Sequence, residues 1–162
     1  LAGIDVSAHG LTHRFCRGDY YVLSKHAPRP PIPLVYPLPQ RAGLGIHLTT
    51  DLGGQVLAGP DTTWIDAPSY DVDASKAEEF ARAVARYLPG VKPEHLAPGY
   101  AGVRPKLGVP SDPARDFVIE EASRYGLPRF VHLLGIESPG LTASLAVAER
   151  VADAVEGVRA LA

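Results

Sequence analysis

The sequence predicts an α+β fold, a mostly antiparallel or mixed sheet with flanking helices, and three observations carry that prediction. Two segments, 44–59 and 117–133, read as β-hairpins. Two others, 73–90 and 138–162, carry helical spacing with start and stop signals. The order is strands, hairpin, helix, strand, hairpin, helix, which lacks the strict strand–helix alternation of a doubly wound domain. Neither a G-x-G-x-x-G fingerprint nor a G-x-x-x-x-G-K-[ST] phosphate loop occurs, so the chain alone shows no signal for holding a nucleotide.

In chain order, 11–25 is rich in the strand formers Phe15, Tyr20, Tyr21 and Val22. Gly18-Asp19 within it is a turn or bulge signal, so two short strands are expected. The next stretch, 27–43, holds six prolines and can be neither a helix nor an inner strand. Its apolar residues Ile32, Leu34, Val35 and Tyr36 argue for an ordered loop packed on the body. Leu44, Ile46 and Leu48 then alternate with Gly45, His47 and Thr49, giving a strand with one apolar face. Asp51-Leu52-Gly53-Gly54 turns it, 55–58 returns, and Gly59-Pro60-Asp61 ends the hairpin.

Ser75 and Glu78 have the spacing of a capping box. Phe80, Val84, Tyr87 and Leu88 share one helical face, and Pro89-Gly90 stop the helix. Residues 95–108 read as a strand whose glycines admit close backbone approach. The second hairpin runs out over 117–120 and back over 129–133, and His132 in its apolar run reads as a satisfied core histidine. The last helix is expected to open with Ser138 as N-cap and Pro139 at the first helical position, where a missing N–H costs nothing. Leu141, Leu145, Ala148, Ala152 and Val155 form its apolar stripe.

The composition narrows the partners. With 162 residues, 46% apolar and 21% charged, the chain can bury a sizeable core. A net charge of −2 with interspersed signs offers no polyanion-binding surface, so nucleic acid is not expected. One cysteine, Cys16, excludes an internal disulfide, and six scattered histidines without HxH or HExxH leave no metal site. No apolar run reaches membrane-spanning length and no signal peptide opens the chain, so a cytoplasmic setting is the expectation. The absence of methionine and an opening in mid-pattern point to a fragment.

Several residues are candidates for chemistry, each with a plainer reading beside it. A helix starting at Pro139-Gly140 would expose the free N–H groups of its first turn and the positive end of its dipole, which stabilise negative charge, either phosphate or the N1–C2=O edge of a reduced flavin. A well-capped helix with no further role reads the same way. Arg104 offers a planar fork for a carboxylate, with Gly99 and Gly102 leaving room, or a structural ion pair with Glu94 or Asp116. His47, opposite the apolar side of its strand, is either a base for a hydroxyl proton or a filler of a sheet face. Tyr20, Tyr21 and Lys106 are candidates to orient substrate, although strand aromatics are more often core.

Three segments decide between these readings: GIHLTTDLGGQVLAGPD (45–61), GYAGVRPKL (99–107) and LLGIESPGLTASLAVAERVAD (133–153). In that order and at those separations they resemble the C-terminal part of flavin enzymes of the D-amino-acid oxidase superfamily. The L-2-hydroxyglutarate dehydrogenase/oxidase-like group is the nearest. GIESPGLTASLA is the most specific piece, and RGDYYVL (17–23) is similar to that group's extended segment beside the substrate pocket.

The resemblance implies a substrate-binding domain over 1–134 and a flavin-contacting loop and helix over 135–162, with the N-terminal FAD-binding half absent. It implies cofactor contacts to FAD from Gly135, Ser138, Gly140, Leu141 and Thr142, incomplete in this chain. It favours Arg104 as the carboxylate clamp, keeps His47 as the candidate base beside its reading as a sheet-face filler, and implies a small 2-hydroxy acid such as L-2-hydroxyglutarate as substrate, oxidised by hydride transfer. The second carboxylate of such a substrate would want another cation, Lys106 or Arg17. An amine or amino-acid substrate of the sarcosine type is the alternative within the class. Outside it stands a truncated, non-catalytic interaction module. Without the other half, the stripe of the last helix would be exposed, which predicts self-association or pairing with a second polypeptide.

Overall fold

A computed structural model describes residues 3–38, 45–109, 111–113 and 115–160, with side chains to 157. Its strands are β1 (His13–Leu23), β2 (Leu34–Val35), β3 (His47–Thr50), β4 (Val56–Gly59), β5 (Thr63–Ile65), β6 (Leu96–Leu107), β7 (Val118–Glu121) and β8 (Val131–Leu134). Its helices are α1 (Ala77–Ala85) and α2 (Ser144–Ala160). One sheet has the order β2-β3-β4-β1-β5 with β6 also paired to β1, and β7 and β8 form a second. The registered pairs β1/β4, β2/β3, β3/β4 and β7/β8 are all antiparallel, so the α+β expectation holds. Among the described residues no helix is long and apolar enough to cross a membrane. The chain divides into two compact units, 16–103 and 1–15 with 104–162, the boundary falling inside β1 and β6.

In the first of these units the core lies between the sheet and α1. Tyr21, Leu48, Ala58, Phe80 and Val84 are fully buried there, with Tyr87 and Leu88 packed at the margin. Alternation along β1, β3 and β4 sends Tyr21, Leu48 and Ala58 to the same side, and helical spacing returns Phe80 and Val84 to meet them. The expected hairpin is β3–β4; Leu44, at the head of its apolar alternation, lies outside the described residues. The proline-rich stretch does contribute a strand, the two-residue β2, at the sheet edge where proline is tolerated.

Two local expectations are corrected here. β1 is one continuous strand, not two, because Gly18-Asp19 does not turn. Asp19 is fully buried; its N–H donates to Asp61 Oδ1 at 2.7 Å, and its carboxylate receives Lys76 Nζ at 2.9 Å. Lys76 also reaches Asp61 Oδ2 at 2.5 Å and Thr63 Oγ1 at 2.8 Å. Arg17 Nε lies 2.9 Å from Asp19 Oδ1, without the alignment of a hydrogen bond. These long-range charges outweigh the local turn preference of Gly-Asp.

The Ser75–Glu78 capping box is the second correction. Asp73 is the cap: its Oδ1 accepts the Ser75 N–H at 3.0 Å and the Ser75 hydroxyl at 2.6 Å. Ser75 is therefore a donor to the cap, and these two bonds hold the Asp73 carboxyl below its ordinary value. A 3₁₀ turn over Ala74–Lys76 precedes α1, which begins at Ala77.

Tyr21 donates its hydroxyl to the Asp73 carbonyl and packs on Phe80 at 4.5 Å between ring centroids. Tyr21→Phe is expected to cost about 1 kcal/mol, the usual net value of one hydrogen bond. Urea unfolding at constant m-value measures it, and a loss above about 3 kcal/mol would mean the ring itself had moved.

In the other unit β7 and β8 pair as the second hairpin, with Glu120 opposite His132. Glu120 Oε1 accepts from His132 Nε2 at 2.9 Å, Tyr125 Oη at 2.7 Å and Arg124 at 2.6 Å. Burial pushes the Glu120 carboxyl up, but the bonds from Tyr125, His132 and Arg124 outweigh it and hold the group below its ordinary value. His132 is the satisfied core histidine expected. α2 packs on β7 and β8 and keeps Val147, Val151 and Ala154 half-buried. Leu141, Leu145, Ala148, Ala152 and Val155 are exposed.

Candidate functional site

The registers of the larger sheet meet at Gly59. β4 sets Gly59 opposite His47 of β3, and it sets Ala58 and Leu57 opposite Tyr21 and Val22 of β1. One further step along β1 brings Tyr20 opposite Gly59. At the other edge Leu34 pairs with Thr49 and Val35 with Leu48, so the next step brings Tyr36 opposite His47. Opposed residues of antiparallel strands share a face. Tyr20, Gly59, His47 and Tyr36 therefore form one row across four strands. Leu48, Ala58 and Tyr21, one position along, face α1, so the row lies on the side of the sheet turned away from that helix.

Rings pack at both ends of this row. Tyr20 stacks on Tyr100 of β6 with centroids 4.5 Å apart and planes 15° apart. His47 stacks on Tyr36 at 4.4 Å and 23°. Gly59 between them is obligatory: at φ +144, an added Cβ would lie 2.7 Å from the Asp19 carbonyl oxygen and 2.8 Å from the Tyr20 ring. His47 Nδ1 is 3.2 Å from the Gly45 carbonyl oxygen. A carbonyl only accepts, so Nδ1 carries the proton in that bond and the basic lone pair of the neutral ring belongs to Nε2.

The unit made of 1–15 and 104–162 holds the other candidates. Arg104 and Lys106 are two apart on β6 and share a face, both half-buried. Lys106 Nζ donates to both oxygens of Glu137, at 2.7 and 2.9 Å. Leu107 packs on the glycine of the loop that follows β8: a Cβ at Gly135, where φ is +66, would come within 2.9 Å of the leucine side chain. His13 Nε2 accepts the Gly135 N–H at 3.3 Å. These contacts seat the 135–143 loop against the end of β6.

That loop corrects the expected helix start. Ser138 is exposed and caps no helix, and Ser138–Pro139 is a cis peptide. Gly140 N–H donates back to the Glu137 carbonyl at 2.5 Å, Ala143 N–H to Pro139 at 2.9 Å and Ser144 N–H to Leu141 at 3.2 Å. Consecutive turns thus occupy 138–143, and the helix with its positive dipole end opens at Ser144, not at Pro139. Gly140 is buried, its Cβ position filled by Glu137 O and Ile136 Cγ2. The N–H groups of Leu141 and Thr142 donate to no backbone carbonyl among the described residues, and the Leu141 side chain is 91% exposed. Two amide donors beside an exposed leucine suit a flat ring with acceptor atoms along one edge, as a flavin has.

The structure thus brings Tyr20 and His47 into one row in one unit and, in the other, sets Lys106, Gly135 and Gly140 around one loop, with Arg104 two residues before Lys106 on the same strand. Tyr21 sits in the core on the other face. Both proposed second cations are engaged, Lys106 with Glu137 and Arg17 with Asp19. Sequence reasoning missed Tyr36 and Tyr100. An aromatic immediately before a proline, and another inside G-Y-A-G, give no periodic signal of a shared row. Among the described residues no group of three or more His, Cys, Asp or Glu could hold a metal ion.

A family model described as FAD dependent oxidoreductase (DAO) matches residues 2–154. The chain belongs to this family. L-2-hydroxyglutarate dehydrogenase, mitochondrial, of Arabidopsis thaliana is 44% identical over 90% of this chain and 33% of its own length. Glycerol 3-phosphate dehydrogenase of Caloramator mitchellensis is 31% identical over 88% of this chain and 28% of its own length. The chain therefore spans about a third of the curated relatives it matches. Among solved structures, dithionite-reduced L-α-glycerophosphate oxidase of Mycoplasma pneumoniae with FAD bound superposes with a TM-score of 0.72 at 23% identity. That likeness covers 89% of this chain and 36% of the other, and it establishes a shared fold.

Proposed function

We propose that this chain is the substrate-side part of an FAD-dependent dehydrogenase that oxidises a small 2-hydroxy acid of the L-2-hydroxyglutarate type. The observation that carries the reading is the 44% identity to L-2-hydroxyglutarate dehydrogenase along 90% of the chain. Residues 1–134 serve the substrate and 135–162 the cofactor. Gly135, Ser138, Gly140, Leu141 and Thr142 would hold FAD, the amides of Leu141 and Thr142 facing its acceptor edge. When bound, FAD supplies a two-electron acceptor for the hydride leaving the carbon that bears the hydroxyl.

The remaining chemistry belongs to the chain. Arg104 binds the substrate carboxylate through its planar guanidinium. His47 accepts the hydroxyl proton at Nε2 as the carbonyl of the 2-oxo product forms. Tyr20 flanks the substrate on the same sheet face as His47. Lys106, already neutralised by Glu137, braces the 135–143 loop and reaches a second carboxylate only by giving up that partner.

Anaerobic mixing tests this reading on the FAD-loaded protein that carries this segment. L-2-hydroxyglutarate is expected to bleach the visible flavin band, leaving one equivalent of 2-oxoglutarate. Bleaching by glycerol 3-phosphate or sarcosine, with L-2-hydroxyglutarate inert, would overturn the assignment of substrate while leaving the family in place.

A further inference from the structure

We propose that Tyr36 is a positioning residue for His47, fixing the plane of the imidazole so that Nε2 points off the sheet as the base. This rests on the reading of His47 as the proton acceptor. Three observations in one compact unit carry it.

The first is register: the β2–β3 pairing seats Tyr36 directly opposite His47, and their rings stack at 4.4 Å with 23° between planes. The second is the Nδ1 contact with the Gly45 carbonyl at 3.2 Å, made from a backbone at φ +74 that favours glycine. The third is the seat of β3 itself, where the Tyr87 hydroxyl of the α1 end donates to the Ile46 carbonyl at 2.8 Å. Stacking sets the ring plane and the carbonyl sets which nitrogen bears the proton. Together they hold the ring plane and favour the Nδ1–H tautomer. Tyr36 itself is half exposed, so its ring adds little to the core and much to the orientation of its neighbour.

Among the described residues, Tyr36, just after β2, stacks on this ring, Gly59 opposes it from β4 without a side chain, and the Tyr87 hydroxyl, pushed up to about 12 by burial, is engaged with Ile46.

The test compares Tyr36→Leu, Tyr36→Phe and His47→Gln in the FAD-loaded protein. Tyr36→Leu is expected to lower kcat ~10-fold or more with KM nearly unchanged, and to displace the acidic limb of the pH profile, since small misplacement of a catalytic group is costly. Tyr36→Phe keeps the stacked ring and is expected to restore both. Nitrogen-15 spectra of the His47 ring, recorded on the chain itself, are expected to show the Nδ1–H tautomer in the native and Phe forms and a tautomer mixture in the Leu form. Should Tyr36→Leu retain native kcat, pH profile and tautomer while His47→Gln is inactive, the positioning role falls and the base reading survives. Native kcat in His47→Gln would overturn both.

Discussion

Lys76→Met is expected to destabilise the fold by about 3 kcal/mol, the low end of the cost of breaking a buried ion pair, because Arg17 stays against Asp19. The ammonium holds two carboxylates, Asp19 at 2.9 Å and Asp61 at 2.5 Å, and Asp19 is wholly inaccessible to water. Methionine fills the space of the lysine stem but leaves two neighbouring anions facing each other. Asp61 still receives the Asp19 N–H, so β1 and the corner after β4 stay tied to each other but lose their ionic link to the turn before α1. At about 2–4 °C of Tm per kcal/mol for a chain of this size, the melting point should drop by the order of 10 °C.

Asp61→Asn added to Lys76→Met removes one of the two anions and is expected to recover part of the loss. Urea denaturation of the three proteins decides the matter. A loss below about 1 kcal/mol in the single variant would mean that the ion cluster behaves as an exposed pair. The pH dependence has a definite sign. Burial pulls the Lys76 ammonium down, but the bonds to Asp61 and Asp19 outweigh it and raise it above 10.5. A raised lysine contributes its stability in full below its unfolded value and loses it as pH climbs through the folded one. The native protein should therefore lose stability above pH 10.5, and the methionine variant should lack that loss.

Arg104→Ala is the second large effect, and it acts on turnover. If Arg104 clamps the substrate carboxylate, its removal should lower kcat/KM for L-2-hydroxyglutarate about 10²–10³-fold, the cost of truncating one side of a buried charge-assisted pair. Arg104→Lys keeps the charge but loses the two-point fork, and an intermediate loss is expected. Unfolding free energies should change by less than about 1 kcal/mol, because Arg104 is half-buried near the end of a strand and not in the core. Steady-state kinetics on the FAD-loaded protein with both variants provide the check. A change below threefold in Arg104→Ala would assign the residue to structure and move the clamp elsewhere.

Much of the fold could be read from local pattern, and the failures have a common cause. The hairpin β3–β4 followed from alternation, and β7–β8 from two apolar runs about ten residues apart. α1 followed from the spacing of Phe80, Val84, Tyr87 and Leu88. Gly18-Asp19 misled because the partners of Asp19 lie 42 and 57 positions away, and no local signal announces them. Ser138-Pro139-Gly140 has the chemistry of both a helix cap and a tight turn, and the turn bonds decide for the latter. Both faces of α2 are apolar, so period alone could not tell which would meet β7 and β8. Of the candidate site, His47 and Tyr20 were legible as single residues. Their membership of one row depends on two registers, one set by the two-residue strand β2, and no pattern in a proline-rich segment specifies it.

In evolutionary terms, Gly59 divides that row into a closed position and open ones. Any side chain there must first displace the Asp19 backbone or the Tyr20 ring, so drift at position 59 is blocked. Tyr20, His47 and Tyr36 sit in the same row with ordinary side chains, two of them stacked on each other and the third on Tyr100. Lineages descending from a protein of this shape would inherit the gap unchanged, and variation in this row would fall on its neighbours.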